Sequence, residues 1–319
     1  SAARRPGGGR EHEQRTRDAD AAFSAYARAV EADPRHEAAR ESLARIGGGR
    51  DTFRQKRAHV LQRALDKLAD SPSLQAELLL ELAVLLDQYL GDRDGAERAY
   101  ERLIELDGDN ADAVLVAARA LEIIHLAKQD HARLAVDIRR QVDLESDPVR
   151  RGQLLVRLAE LCETTLDSPA AAIEAHQKRL EIDVGDLDAL GALERLYQRT
   201  ERWAELCQTL TAHADVTNDE TERRTLLRRV AGLRDERLTD VEGAIAAYDD
   251  MLSSLGPDRE TLQALAALYE RTERHTQLLE TLEREESLVD DPDDRARLQF
   301  RMAELMRSRT GNLERALEC

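Results

Sequence analysis

Aromatic residues are scarce in this 319-residue chain: it has one Trp, three Phe and six Tyr. A core dominated by aromatic rings is therefore excluded, and the 42% hydrophobic content falls mainly to Ala and Leu, the composition of a helical protein. Lysine occurs only at positions 56, 67, 128 and 178, so nearly all positive charge is arginine, as expected of a GC-rich bacterial coding sequence. Cys162, Cys207 and Cys319 are odd in number and lack CxxC spacing. That excludes a disulfide framework or a cysteine zinc site and leaves them as small core residues in a reducing compartment. No apolar run approaches the ~20 residues a spanning helix needs, and the best stretch, LLLELAVLL at 78–86, is broken by Glu81. The chain opens on SAARRPGGGR, with neither an initiator Met nor a signal-peptide core, so a cytoplasmic location is expected.

Charge is abundant but uneven. The formal net charge is −17, yet residues 1–60 carry 13 Lys/Arg against 9 Asp/Glu. The remainder is strongly acidic, which disfavours phosphate backbones and anionic membrane surfaces as partners and favours a cationic one.

The letters that are present repeat. LYQRTERW at 196–203 returns as LYERTERH at 268–275, and AIEAH at 172–176 matches AFSAY at 22–26, AERAY at 96–100 and AIAAY at 244–248. With Ala316 these mark five copies of one unit, at steps of 74, 76, 72 and 72 residues. Apolar residues within a unit follow the 3.6-residue period as four helices: Leu155, Leu158, Ala159 and Cys162, then Ile173, His176 and Leu180, then Leu190, Leu193 and Tyr197, then Leu206 and Leu210. Ser71-Pro72, Asp147-Pro148 and Asp291-Pro292 place a capping side chain before a first-turn proline, and Thr239 with Glu242 has capping-box spacing. The surplus of the 76-residue step falls between Asp112 and Leu121, about one extra helical turn. No segment alternates with period two, so no sheet is expected.

Ala22, Tyr26, Ala29 and Pro34, and then Leu190, Leu193, Tyr197, Leu206 and Leu210, follow the spacing of the tetratricopeptide repeat, which this chain resembles from about residue 21 onward. The resemblance implies an all-α, right-handed α-solenoid of stacked helix-turn-helix repeats. In this frame RTER forms the polar turn of a hairpin, copied because one hairpin cannot bury its apolar face alone. Trp203 opens a second helix and is expected to be substantially buried, with Phe53, His131 and His275 in the equivalent slots. Residues 1–20 read as a basic, disordered linker and 21–319 as the solenoid. LERALEC ends one residue short of the position matching Tyr248, as if truncated within a repeat.

No catalytic constellation emerges. Glu122-x-x-His125 has the ExxH spacing of helical di-iron sites but no second copy, and no Ser/His/Asp or Cys/His set can be drawn from residues spread along repeats. The GGGR runs at 7–10 and 47–50 lack the order of a phosphate loop. The expectation is a non-catalytic protein-interaction scaffold without cofactor or metal, holding a peptide or partner helix in a concave groove. Counting along the first helices places Glu160, Glu163, Arg195, Gln198, Arg228, Asp235, Gln263 and Glu270 on the inward face, suited to a protein or peptide with a cationic or amphipathic segment. Two other readings stay open. One is the regulatory or targeting repeat region of a larger enzyme or secretion or signalling protein whose catalytic domain lies outside this chain. The other is an RNA-binding helical repeat, which the acidic body disfavours.

Overall fold

The computed structural model describes residues 7–47, 51–68, 71–106 and 110–307, with side chains from Asp18 onward, and every regular element among them is helical. The chain divides into two units, Ser1–Ser168 and Pro169–Cys319. The first holds α1 (Gly7–Ala32), α2 (Glu37–Gly47), α3 (Asp51–Asp66), α4 (Pro72–Val84) with a π-helical continuation (Leu85–Leu90), α5 (Arg93–Ile104), α6 (Ala111–Lys128), α7 (His131–Leu144) and α8 (Pro148–Thr164). The second holds α9 (Pro169–Ile182), α10 (Leu187–Arg199), α11 (Trp203–Val216), α12 (Glu220–Glu236), α13 (Val241–Leu255), α14 (Arg259–Arg271), α15 (His275–Glu286) and α16 (Pro292–Leu305). Within each unit every helix packs on the one that follows it. The fold is an all-α repeat of helix pairs.

The repeated letters are turn instructions. Gln129, Glu201 and Glu273 stand 72 residues apart, and each adopts a left-handed backbone, with φ of 57°, 56° and 55°. This conformation ends α6, α10 and α14 and turns the next amide back onto the helix. Asp130 N donates to His125 O at 3.0 Å, and Arg202 N and Arg274 N donate to Tyr197 O and Tyr269 O at 2.9 Å. In both RTER copies the threonine hydroxyl donates to a carbonyl of its own helix, Thr200 to Leu196 and Thr272 to Leu268, at 2.8 Å. The other hairpin type bends at Gly91, Asp167 and Thr239, with φ of 67°, 43° and 54°. The amide after each returns to a carbonyl six residues back: Asp92 to Leu86, Ser168 to Cys162 and Asp240 to Arg234.

Helix starts are written chiefly with aspartate. Asp92, Asp130, Asp186, Asp240 and Asp258 each accept a hydrogen bond from the amide three residues on, satisfying a backbone donor that no turn of helix precedes. Asp147 and Asp291 cap before their prolines as the sequence suggests, whereas the Ser71 hydroxyl makes no cap and accepts instead from Arg35 at 2.8 Å. The expected capping box at Thr239 and Glu242 is displaced by one residue. Thr239 supplies the left-handed turn, and Asp240 caps the amide of Gly243 at 2.9 Å. A Cβ at Gly243 would lie 1.9 Å from Asp240 Oδ2, so a side chain there would force the aspartate to rotate, as the aspartates at the caps on Arg133, Ala189 and Thr261 must already have done.

Core formation follows the apolar stripes. Ala96, Ala172 and Ala244 are all 0% exposed, and their small side chains allow close helix packing. Every residue of the four stripes from Leu155 to Leu210 is buried except Leu180, which is half-buried. Cys162 and Cys207 are buried thiols outside any disulfide, while Cys319 lies outside the described residues.

Two expectations are revised. Helix α1 begins at Gly7, so a helix runs through most of the stretch read as a linker, consistent with its Arg, Glu, Gln and Ala, all strong helix formers. Trp203 is half-buried, because as the first residue of α11 it caps the end of the apolar stripe, and the Arg237 guanidinium lies 4.9 Å from its ring centroid. Trp203→Ala is accordingly expected to cost about 2 kcal/mol in a urea unfolding experiment, below the 3 to 5 of a fully buried ring. A loss within that range would restore the buried-wedge account.

Candidate functional site

Arginine carries nearly all the positive charge, and the structure shows what that charge does. Side chains about one helix pair apart in sequence form ion pairs within each unit: Arg40 with Glu77 and Arg157 with Glu122 in the first, and Arg229 with Glu194, Arg224 with Asp258 and Arg259 with Asp294 in the second. The planar guanidinium, with its five donors, suits this bridging role.

The ladder engages most of the side chains placed on the inward face. On α12, Arg228 pairs with Glu260 and Asp258, and Asp235 pairs with Arg271. On α10, Gln198 accepts from Arg229 at 2.6 Å. On α14, Gln263 donates to Glu285 at 2.7 Å and Glu270 accepts from Arg301 at 2.6 Å. Arg195 is exposed on α10, and on α8 Glu160 is exposed and Glu163 half-buried. The two acidic members of this set in the second unit are thus neutralised by arginine.

A different surface stands out on α6, which at 18 residues is longer than its counterparts α10 and α14, at 13 each. Val116, Ile123 and Leu126 are 44%, 69% and 55% exposed and share one face at helical spacing. In the 72-residue register they replace Asp188, Arg195 and Gln198 of α10. The same face is therefore apolar on α6 and polar on α10. Sequence reading singled out the extra turn of this helix without identifying its apolar face.

The first unit also contains a buried polar centre. His125 is 2% and Asp137 3% exposed, and His125 Nδ1 lies 2.5 Å from Asp137 Oδ2. Its Nε2 lies 3.1 Å from Glu97 Oε1. Lys128 donates to Asp94 at 2.6 Å and to the other Glu97 oxygen, while Arg133 NH1 bridges Glu97 Oε1 at 3.0 Å and Glu101 Oε1 at 3.2 Å. A cavity of about 290 Å³ opens beside them, lined among others by Glu101, Leu121, His125, Arg133 and Asp137. Burial pushes the Asp137 carboxyl above its ordinary value, outweighing the His125 hydrogen bond. Burial also raises Glu97, but hydrogen bonds from Lys128 and His125 outweigh it and hold this carboxyl below the usual range. Tyr100, on the same helix α5, is pushed up to about 12 by burial, with Asp87 adding to the effect.

The ExxH pair does not form a unit. Glu122 turns to Arg157 and accepts from Gln141 at 2.6 Å, while His125 faces Glu97 and Asp137. Glu97, Asp137, Lys128 and Arg133 were not singled out in the sequence, although register exposes them. Glu97, His125 and Asp137 occupy the positions of Ile173, Tyr197 and Thr209 in one later copy, and of Ile245, Tyr269 and Thr281 in the next.

The tetratricopeptide repeat family matches residues 78–114 and 189–224, which cover α5 and parts of its neighbours in the first unit and the α10–α11 hairpin in the second. Comparison with curated protein sequences gives no match. Among solved structures, the chain is similar to a tetratricopeptide repeat protein from Parabacteroides merdae at 15% identity and a TM-score of 0.29, over 76% of this chain and 89% of that one. It is also similar to a structure titled as the functional characterization of Pseudomonas aeruginosa pilF, at 15% identity and a TM-score of 0.26, over 78% of this chain and 99% of that one. Among the described residues no helix is long and apolar enough to cross a membrane. Turn geometry and helix pairing make the chain an all-α helical repeat protein, similar to the tetratricopeptide repeat over the two matched segments.

Proposed function

We propose that this chain is a non-catalytic protein-interaction scaffold that binds an amphipathic, cationic segment of a partner protein on the first unit, across α6 and α8. The observation that carries this reading is the exposed row of Val116, Ile123 and Leu126, because apolar side chains at this spacing on a helix otherwise tied into the repeat core suit the apolar face of a partner helix. The Arg157–Glu122 pair links α8 to α6, and Glu160 lies one turn beyond Arg157 on α8, exposed. Glu160 and Glu163 supply the charge for the cationic side of the segment. On the second unit, Arg195, Gln198, Arg228, Asp235, Gln263 and Glu270 offer a polar face of their own, whose carboxylates Asp235 and Glu270 are offset by arginine.

The test uses the full chain as bait in an extract of its source cell, with Ile123→Asp/Leu126→Asp and Glu160→Gln/Glu163→Gln as variants. Both pairs lie largely outside the core, so the fold is retained. The apolar variant is expected to lose its partners at all salt concentrations. The carboxylate variant should lose them mainly at low salt, since exposed charges act over about 10 Å at 0.1 M. Partners retained by the apolar variant, or recovered as nucleic acid, would overturn the reading.

A further inference from the structure

The polar centre of the first unit has no purpose that packing explains. Its sister repeats fill the same three positions with Ile173, Tyr197 and Thr209, and with Ile245, Tyr269 and Thr281, all under 9% exposed. Replacing such a set with a glutamate, a histidine and an aspartate brings a desolvation penalty that packing does not recover. The arrangement of these residues is that of a metal ligand set. Glu97 and Glu101 stand one turn apart on α5 and His125 faces them from α6, so two rigid helices supply three donors. One carboxylate oxygen from each glutamate and an imidazole nitrogen lie within 4.8 Å of one another.

The histidine is oriented for ligation. Nδ1 is engaged by Asp137 at 2.5 Å, and Nε2, the nitrogen that would ligate, is aimed at Glu97 Oε1, 3.1 Å away. Without a metal, a shared hydrogen between Nε2 and Oε1 holds the place that a cation would take. A carboxylate on the distal nitrogen is the arrangement that fixes tautomer and ring direction in histidine-metal sites. Lys128 holds Glu97 Oε2 and so presents Oε1 to the centre. The Arg133 guanidinium now rests on Glu97 Oε1 and Glu101 Oε1, marking where positive charge is favoured. Its side chain is 56% exposed at the edge of the cavity, free of the constraint that a buried residue would face on moving aside.

We propose that Glu97, Glu101 and His125 bind a divalent transition-metal ion of the Zn²⁺ class, with Asp137 orienting the histidine and Arg133 occupying the cation position when no metal is bound. Two carboxylate oxygens and one imidazole nitrogen suit such an ion better than Ca²⁺ or Mg²⁺, which favour all-oxygen sets. Ligand bonds of about 2.0 to 2.2 Å need only a modest closure of the three side chains, and water from the cavity completes the coordination.

The experiment uses the untagged full chain, stripped with a chelator and titrated with Zn²⁺ against a chromogenic competitor, with Co²⁺ as a spectroscopic probe. One equivalent is expected to bind, and Co²⁺ should give visible ligand-field bands. Glu101→Gln, at a half-exposed position, should weaken binding at least roughly tenfold, the scale of losing part of a metal site. Arg133→Met removes the competing cation and should tighten binding by roughly tenfold, about 1.4 kcal/mol. A network that serves structure alone gives the opposite pattern: no stoichiometric metal in the wild type or in Arg133→Met, and a lowered melting temperature in the latter. That result overturns the proposal, as does one equivalent bound equally well by Glu101→Gln, which would place the metal on other histidines.

Discussion

Asp258→Ala is expected to lower stability by about 3 kcal/mol, because this carboxylate closes several bonds at once. It caps α14 by accepting from Thr261 N at 3.0 Å and from the Thr261 hydroxyl at 2.6 Å, and it receives Arg224 at 2.6 Å and Arg228 at 3.0 Å from α12. Alanine removes the cap, which costs about 1 kcal/mol alone. It also strands the hydroxyl of Thr261, which is 0% exposed, and one donor of a largely buried Arg224, at about 1 kcal/mol or more each. Asp258→Asn keeps a capping oxygen and should cost less. The effect depends on pH. Burial raises the Asp258 carboxyl, but the Thr261 and Arg224 hydrogen bonds outweigh it and hold the group below its ordinary value. Its stabilisation is therefore complete above the ordinary carboxylate pKa of about 4 and is lost as pH falls through the lower folded value. Urea midpoints of wild type and Asp258→Ala should differ at pH 7 and converge in acid. A constant difference would show that the charge is not involved.

Architecture was legible in the sequence because a repeat states each instruction several times. The 72-residue step from Gln129 to Glu201 to Glu273 recurs in the backbone as three left-handed residues, and the stripes from Leu155 to Leu210 became core because 3.6-residue periodicity and burial are two views of one constraint. Trp203 misled because ring size suggests burial, whereas its place at the first position of α11 leaves one face open to Arg237. The inward-facing residues were placed by counting along helices, which locates a side chain on a helix but not its partner on the next. The partner of Asp235 is Arg271, 36 residues on, and no periodicity within one helix reveals it. The polar centre was hidden for a related reason. His125 was weighed against Glu122, its neighbour on the same helix, while Glu97 and Asp137 come from α5 and α7. Aligning the repeats against one another, rather than reading motifs along the chain, is what separates these three positions from their apolar counterparts.

His125→Leu is expected to cost about 3 to 5 kcal/mol, the range for removing one member of a buried charged network. Leucine fits the space, so the loss is electrostatic: Asp137, 3% exposed, keeps its carboxyl without a donor, and Glu97 loses one of the groups that hold it ionised. The sister repeats supply the control. Glu97→Ile/His125→Tyr/Asp137→Thr installs the set found at 173, 197 and 209 and removes every buried group that needed compensation. This triple variant should recover stability to within about 1 kcal/mol of wild type or exceed it, as replacement of a buried ionic set by apolar residues often does. Asp137 adds a pH signature opposite in sign to that of Asp258. Its carboxyl is held above the ordinary value by burial, so its contribution is present at low pH and is lost as pH rises from the ordinary value through the raised one. Stability of wild type and a single Asp137→Thr variant, measured by urea unfolding from pH 3 to 7, should therefore shift in the variant's favour as pH rises, whereas the triple variant also removes Glu97, whose lowered carboxyl works in the opposite sense. A triple variant as unstable as His125→Leu would mean that the polar set organises the packing of α5, α6 and α7 rather than burdening it.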